Sequence, residues 1–190
     1  MTYDAAPPEQ IFVAGTWSST KAARYAEQAF EVGRQLASAG FDLTTGPGTG
    51  ISGHVISGYQ SIDVRGKVRI YLPRQEEMDK VGESVEADVD EVIRTDFDYP
   101  MRNVYHVSRC RGLIVITGGD GTLEECLPAL IDYKIPVAVL RKSGSAAEAL
   151  EYLSKKLYTD WNDLLFFADT ALELVPQLSS FLSKCKRVVS

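Results

Sequence analysis

The sequence predicts a doubly wound α/β sandwich in which helices cover both faces of a mainly parallel sheet. Strand-like and helix-like segments alternate along the 190 residues. The strand-like segments are continuous apolar runs, as is typical of parallel strands that are buried on both faces. Parallel neighbours need helical crossovers, which the alternation supplies. We therefore expect one Rossmann-like domain over residues 1–190, with residues 1–9 as a flexible leader.

The amino-terminal half alternates short apolar strands with helices. Apolar residues at helical spacing predict a long helix over residues 21–38, and Gly40 suits its C-cap. The polar segment 73–90 has no sustained period, so it is predicted to be a loop or lid. The other predicted elements of this half are the strands 11–15, 41–45, 67–72 and 91–95 and the helix 51–62.

The carboxy-terminal half contains the clearest strand, "LIVIT" over residues 113–117, which follows a predicted helix over residues 99–111. The pattern then continues through the helices 121–133, 145–157 and 170–184 and the strands 136–140 and 164–168. In such folds ligands bind beyond the carboxyl ends of the strands, so the loops at that edge are the candidate site.

Composition excludes several classes of function. A net charge of −6 argues against broad nucleic-acid binding, which needs a basic surface. The amino terminus lacks the features of a signal peptide, and no apolar run approaches the length of a membrane span, so we expect a cytoplasmic protein that does not enter membranes. The three cysteines and two histidines lack metal-ligand spacing, so no metal is predicted.

The loop "GTWSS", residues 15–19, follows the first strand. Ser18 is either the N-cap of the next helix or a ligand-binding residue, and the sequence leaves both open. Trp17 could stack on a planar base, but packing in the core is the favoured interpretation.

The loop "TGPGTGISG", residues 45–53, is rich in glycine, and its Gly48 and Gly50 let backbone amides approach a ligand. A ligand site is favoured over a plain turn, which needs fewer glycines. The glycines follow the second strand, and the third strand ends without an acidic residue, so a conventional NAD site is disfavoured.

The loop "TGGDGT", residues 117–122, leads from the clearest strand into a helix. Free amides at a helix N-terminus attract phosphate, so Gly118, Gly119, Gly121 and Thr122 are predicted to hold one. Glu125 follows on the same helical face and is expected to face solvent at the mouth of the loop, where its carboxylate can meet a sugar.

A second acidic residue, Glu124, lies beside Glu125 and is predicted to be on the surface, where a carboxylate near a helix N-terminus is stabilising. The glycines and Thr122 would therefore take the phosphate end of a ligand, and Glu125 the sugar. The motif suggests a phosphorylated sugar or nucleotide.

The pattern Gly-Gly-x-Gly-Thr-x-x-Glu over residues 118–125 resembles the signature of the LOG (Lonely Guy) family, and the resemblance covers roughly residues 11–140. The family's members are phosphoribohydrolases of nucleoside 5′-monophosphates and are at least dimers. The resemblance identifies Arg102, in "MRN", as the partner of Glu125 at the ribose. It implies a small nucleotide ligand, a homodimer or larger homo-oligomer, and no cofactor.

Three features of the LOG pattern are absent from this sequence. Thr117 replaces the usual opening proline, Asn103 replaces the lysine after the arginine, and Pro100-Met101 stands where a histidine is common. Two hypotheses follow from the resemblance and its departures. The chain hydrolyses the N-glycosidic bond of a purine or cytokinin nucleoside monophosphate, or it binds a nucleotide-derived ligand as a sensor or carrier without turnover.

Overall fold

A computed structural model describes residues 10–157 and 160–185. The leader predicted for residues 1–9 lies outside them. In these ranges the protein has seven strands and eight α-helices. The strands are β1 Gln10–Gly15, β2 Asp42–Thr45, β3 Val68–Leu72, β4 Glu91–Arg94, β5 Gly112–Ile116, β6 Val137–Leu140 and β7 Leu165–Ala168. The helices are α1 Ser19–Ala22, α2 Ala26–Ser38, α3 Ile51–Gln60, α4 Gln75–Val81, α5 Tyr99–Ser108, α6 Asp120–Ile131, α7 Ser145–Lys156 and α8 Ala171–Cys185.

The strands form one sheet in the order β4-β3-β2-β1-β5-β6-β7, and each neighbouring pair is parallel. The chain winds outward from β1 to β4 and then returns to the other side of β1 at β5. This confirms the predicted doubly wound α/β fold. The order reverses between β1 and β5, and such a switch point is where ligands of open α/β sheets bind.

Alternation along each strand builds two cores. In β1, Ile11 and Val13 face a core made with α2, α3 and α8, whereas Phe12 and Ala14 face a core made with α5, α6 and α7. Successive side chains of a strand point to opposite faces, so an apolar run is buried on both sides. This is why the strands read as unbroken apolar segments in the sequence.

Two predicted elements differ from the structure. The helix expected over residues 21–38 is interrupted by a 3₁₀ turn at Ala23–Tyr25, which separates α1 from α2. The segment 73–90, expected to be a loop or lid, contains α4, which buries Met78 against Ile70 and Leu72 of β3. One buried contact is enough to fix a short helix that has no repeated apolar period. Within the described ranges, no helix combines the length and apolar character that crossing a bilayer requires.

Candidate functional site

The loops after β1 and β5 lie side by side at the switch point, because these two strands pair in parallel with Gly15 opposite Ile116. The loop after β2 joins them: the amide of Ile51 donates a 3.0 Å hydrogen bond to the carbonyl oxygen of Thr16. The fold therefore brings all three predicted ligand loops to one edge of the sheet.

The loop after β5 has an unusual backbone. Thr117 has a φ of 60° and Gly118 has a φ of 116°. A left-handed conformation is costly for a β-branched residue, and such strain often marks a functional loop. The amide of Thr117 donates a 2.8 Å hydrogen bond to the hydroxyl oxygen of Ser143, which helps to hold this conformation. Helix α6 then begins at Asp120, and no side chain in the described part of the chain caps it.

The glycines of this loop have different roles. A methyl group on Gly118 would collide with the side chain of Thr122, and Thr122 itself is buried. The close packing on Thr122 therefore accounts for glycine at position 118. A methyl group on Gly121 would meet no described atom within 4 Å, and one on Gly119 would meet only the hydroxyl oxygen of Ser145 at 3.9 Å. The space beside Gly119 and Gly121 is open at the N-terminus of a twelve-residue helix, where amides favour an anion.

The loop after β2 is closely packed. Gly48 has a φ of 110°, and a methyl group there would lie 2.6 Å from the backbone nitrogen of Ala87. Gly50 has a φ of 56°, and its missing side chain makes room for the backbone of Thr16 and Trp17. Packing therefore accounts for both glycines, and their part in ligand binding remains a prediction.

The loop after β1 places Ser18 at the N-cap of α1, where its hydroxyl oxygen accepts a 3.5 Å hydrogen bond from the amide of Lys21. A ligand-binding role for Ser18 stays a prediction. Trp17 is 77% exposed, so the favoured packing interpretation of this residue is wrong. The backbone of this loop is held by hydrogen bonds on both sides of Trp17, so the indole cannot turn inward and pack in the core.

Arg102 lies on α5, which is capped by Asp98 through a 3.0 Å hydrogen bond from the amide of Met101. The Arg102 side chain is buried, and its Nε has no hydrogen-bond partner among the described residues. Its guanidinium carbon lies 5.4 Å from the ring centroid of Tyr99, a cation–π arrangement. A buried guanidinium with a free donor is chemically incomplete and suits a ligand that accepts a hydrogen bond.

Glu125 lies on α6, which packs against α5. The residue is only partly exposed, which corrects the expectation of a solvent-facing side chain. Burial raises the pKa of its carboxyl group to about 7, the positive charge of Arg102 opposes that rise, and the neighbouring Glu124 adds to it. The charge of Arg102 therefore reaches the carboxyl group of Glu125. The two described side chains do not form an ion pair, since no guanidinium nitrogen lies within 4.0 Å of a Glu125 carboxylate oxygen.

Sequence reasoning missed three features around the site. Glu124 is exposed, as predicted, and it also accepts a 3.4 Å hydrogen bond from Nδ2 of Asn103, which was not predicted. The segment after α4 packs on the loop after β2, residues 45–53, which is called the second glycine loop below. The contact is a 2.9 Å hydrogen bond from the amide of Glu86 to the carbonyl oxygen of Pro47.

The third missed feature is the β6–α7 loop, where the Ser145 hydroxyl donates a 3.1 Å hydrogen bond to the carbonyl oxygen of Gly118. "SGS" after an apolar strand could have pointed to this loop, because β6 adjoins β5.

The histidines are not arranged as metal ligands. His106 is buried, stacks between Phe12 and Tyr71 with centroids 4.0 and 4.6 Å away, and its Nε2 lies 2.7 Å from the hydroxyl oxygen of Thr44. Burial and the charge of Arg102 hold its pKa well below the usual range. In the described residues, no group of three or more His, Cys, Asp or Glu side chains could hold a metal ion.

Comparisons with solved structures agree with the fold. The structure of TM1055, a structural-genomics target, has 22% identity and a TM-score of 0.75, and the match covers 90% of this chain and 98% of that one. The molybdenum cofactor carrier protein of Chlamydomonas reinhardtii has 24% identity and a TM-score of 0.75, with coverage of 94% and 99%. The molybdenum cofactor binding protein of Rippkaea orientalis has 21% identity and a TM-score of 0.68, with coverage of 91% and 95%.

No curated protein sequence matches this chain significantly. A family model does: the model of the SLOG cluster4 family matches residues 9–165. That range spans most of the chain and includes all the loops described above together with Arg102 and Glu125. It confirms the resemblance that the glycine signature indicated, and the chain belongs to the SLOG cluster4 family.

Proposed function

We propose that this protein hydrolyses the N-glycosidic bond of a purine or cytokinin nucleoside 5′-monophosphate to give the free base and ribose 5-phosphate. The observation that carries the proposal is the placement of Arg102 and Glu125 on two packed helices beside an open glycine corner. Arg102 comes from α5 and Glu125 from α6, and the charge of one lowers the pKa of the other. The helix N-terminus that can hold a phosphate begins one turn before Glu125.

In this proposal the phosphate binds at Gly119 and Gly121, where an added methyl group would meet open space at the N-terminus of α6. Gly118 and the buried Thr122 pack against each other beside that corner. Ser18, Gly48 and Gly50 belong to the two neighbouring loops and would complete the phosphate and sugar contacts. Of the glycines in the three loops named here, Gly119 and Gly121 have the open surroundings that direct contact with a phosphate requires.

The bond change is a displacement at the anomeric carbon. The oxygen of a water molecule bonds to C1′ as the bond from C1′ to the base nitrogen breaks, and Glu125 takes a proton from the water. Its carboxylate also stabilises the positive charge that develops on the sugar. A carboxyl group with a pKa of about 7 is suited to accept that proton near neutral pH. The positive guanidinium of Arg102, whose Nε has no partner among the described residues, can stabilise the negative charge that the departing base gains. The proton that Glu125 took from the water then passes to the base nitrogen, which leaves Glu125 as a carboxylate again.

The test is incubation of the purified protein with a panel of nucleoside 5′-monophosphates, followed by chromatography for free base. Glu125→Gln should release none, whereas Glu124→Gln, a change at the exposed neighbouring carboxylate, should retain activity. A folded protein that releases no base from any member of the panel would refute the enzymatic proposal.

A second candidate function is that of a ligand carrier. Two similar structures are named as a molybdenum cofactor carrier and a molybdenum cofactor binding protein. Asn103 occupies the position of the lysine in the LOG pattern and bonds to Glu124, so the site lacks a charge that LOG enzymes have. Calorimetry with nucleotides and pterin compounds tests this function. Tight binding of a ligand that is recovered unchanged would favour the carrier over the hydrolase.

A further inference from the structure

Trp17 differs from the other tryptophan of the chain in its surroundings. Trp17 is 77% exposed, whereas Trp161 is 4% exposed and belongs to the hydrophobic core that includes Val137 and Val139 of β6. An indole ring offers a large apolar face, and burying that face is favourable. The folded chain leaves this face unused at the edge of the sheet where the ligand loops meet.

The backbone on both sides of Trp17 is fixed. Before it, the carbonyl oxygen of Thr16 accepts the hydrogen bond from Ile51. After it, the amide of Ser18 donates a 3.3 Å hydrogen bond to the hydroxyl oxygen of Thr16, and the Ser18 hydroxyl caps α1. Gly50 packs directly against the Trp17 backbone, since a methyl group there would lie 2.8 Å from the Cα of Trp17. The fixed backbone holds the exposed indole at one point of this edge, so stacking on a ligand would not require the loop to be ordered first.

The position of Trp17 relates it to the proposed phosphate corner. Strand β1 lies between β2 and β5, so the loop that carries Trp17 lies between the second glycine loop and the loop of Gly119 and Gly121. The loop "GTWSST" also contains no charged residue that would oppose a planar, electron-rich ring.

We propose that Trp17 is the base-binding residue of the site, stacking on the planar heterocycle of the nucleotide whose phosphate lies at Gly119 and Gly121. This inference rests on the ligand of the proposed function, but not on its hydrolysis. Base-on-aromatic stacking tolerates many bases, because each has a π-face. Trp17 therefore supplies affinity for the base as a class, and groups elsewhere distinguish one base from another.

The two tryptophans make a fluorescence test selective. The Trp161→Phe variant reports on Trp17 alone, and the Trp17→Phe variant reports on Trp161 alone. Both are placed in a Glu125→Gln background so that the ligand is not consumed. AMP should quench the emission of Trp17, ribose 5-phosphate should not, and the emission of Trp161 should respond to neither.

Calorimetry gives the affinity without relying on the Trp161 variant. In Trp17→Ser, AMP should bind about 5- to 150-fold more weakly, while the affinity for ribose 5-phosphate stays unchanged. Trp17→Phe, which keeps an aromatic ring, should recover much of the loss. Unchanged AMP affinity in Trp17→Ser, or an equal loss for both ligands, would overturn the inference.

Two further outcomes separate this inference from the proposed function. If AMP binds through Trp17 but the otherwise unmodified protein releases no base, the stacking role stands and the hydrolase proposal fails. If Trp17→Ser changes the association state in sedimentation and not the AMP affinity, the indole contacts a second copy of the chain and the stacking role is refuted. A protein that binds neither AMP nor ribose 5-phosphate also refutes it.

Discussion

The hydroxyl group of Tyr99 donates a 2.6 Å hydrogen bond to a carboxylate oxygen of Glu83. Burial and the neighbouring carboxylate raise the pKa of Tyr99, so the phenol remains a donor at neutral pH. The ring of the same residue supports the guanidinium of Arg102. Tyr99 thus joins the segment after α4, which packs on the second glycine loop, to the charged pair of the site.

We expect the ring of Tyr99 to hold Arg102 in place for Glu125. Tyr99→Leu removes the ring, so Arg102 should no longer lower the pKa of Glu125, and that pKa should rise by about one unit. Tyr99→Phe keeps the ring and should leave the pKa close to its original value.

The measurement is a carbon-13 NMR titration of the glutamate carboxyl groups, with the Glu125 signal assigned through Glu125→Gln. Tyr105→Leu is the control, because Tyr105 lies six residues further along α5 and its ring contacts Phe97 and Tyr71 instead. An unchanged Glu125 pKa in Tyr99→Leu would contradict the role given to the ring.

Glu125 should make the stability of the fold depend on pH. Its folded pKa of about 7 lies above the ordinary value of 4.5, so its stabilising contribution is present below pH 4.5 and is lost as pH rises through 7. Glu125→Gln removes this dependence. Relative to the wild type, the variant should gain on the order of 2 kcal/mol in unfolding free energy between pH 5 and pH 8.

Urea denaturation at both pH values measures this gain. Glu124→Gln, at the exposed position next to Glu125, should show a much smaller change with pH. Equal pH dependence in the wild type and in Glu125→Gln would mean that the carboxyl group is solvated and ionises normally.

The fold could be predicted almost completely from the sequence, because apolar runs and alternating helices determine a parallel sheet with two covered faces. The short helix α4 could not be predicted, because it is held in place by the contact of Met78 with Ile70 and Leu72 of β3. These residues lie in a different element, so the contact leaves no helical period in the sequence of α4. The 3₁₀ turn at Ala23–Tyr25 also leaves no trace in an alanine-rich helical period. Local periodicity identifies long elements, whereas these two depend on tertiary contacts and local geometry.

The site shows the same division. The sequence pointed to the glycine loop, Arg102 and Glu125 as candidate site residues, but it did not give the reason for each glycine. The sequence does not distinguish a glycine that avoids a clash from one that lies in open space. Gly48 leaves room for Ala87, whereas a methyl group on Gly121 would meet no described atom within 4 Å. The exposure of Trp17 was also out of reach, because one aromatic residue in a loop has no periodic partner to show which way it points.

Thr117 should resist replacement by the proline that is usual in the LOG pattern. Proline requires a φ near −65° and has no amide hydrogen, whereas Thr117 has a φ of 60° and donates to Ser143. Thr117→Pro should therefore lower the unfolding free energy by about 3 kcal/mol. Ser143→Ala removes the acceptor of this bond and also the hydroxyl that donates to the carbonyl oxygen of Leu140, so it should cost about 2 kcal/mol. Urea midpoints compare the two.

Thr117→Gly completes this comparison, because glycine adopts a positive φ freely and should offset the loss of the threonine side chain with about 1 kcal/mol of relieved strain. A Thr117→Pro variant as stable as the wild type would show that the loop can take the backbone path that proline imposes, and that the strained conformation is not required.

Gly118 and Gly121 offer a matched pair that separates folding from binding. Gly118→Ala puts a methyl group against Thr122 at a φ of 116°, so it should lower the unfolding free energy by about 2 kcal/mol. Gly121→Ala adds a methyl group in open space within a helix, where alanine is favoured over glycine by up to about 1 kcal/mol, so stability should hold or rise.

The same methyl group would occupy the space proposed for the phosphate. Affinity for AMP and for ribose 5-phosphate should therefore fall at least about tenfold in Gly121→Ala, a loss of about 1.4 kcal/mol of binding free energy that calorimetry can resolve. Urea denaturation of the same preparation shows whether the loss is local. If Gly121→Ala binds both ligands as the wild type does, the open corner at the start of α6 is not the phosphate site, because a ligand held by those amides could not share the space with a side chain.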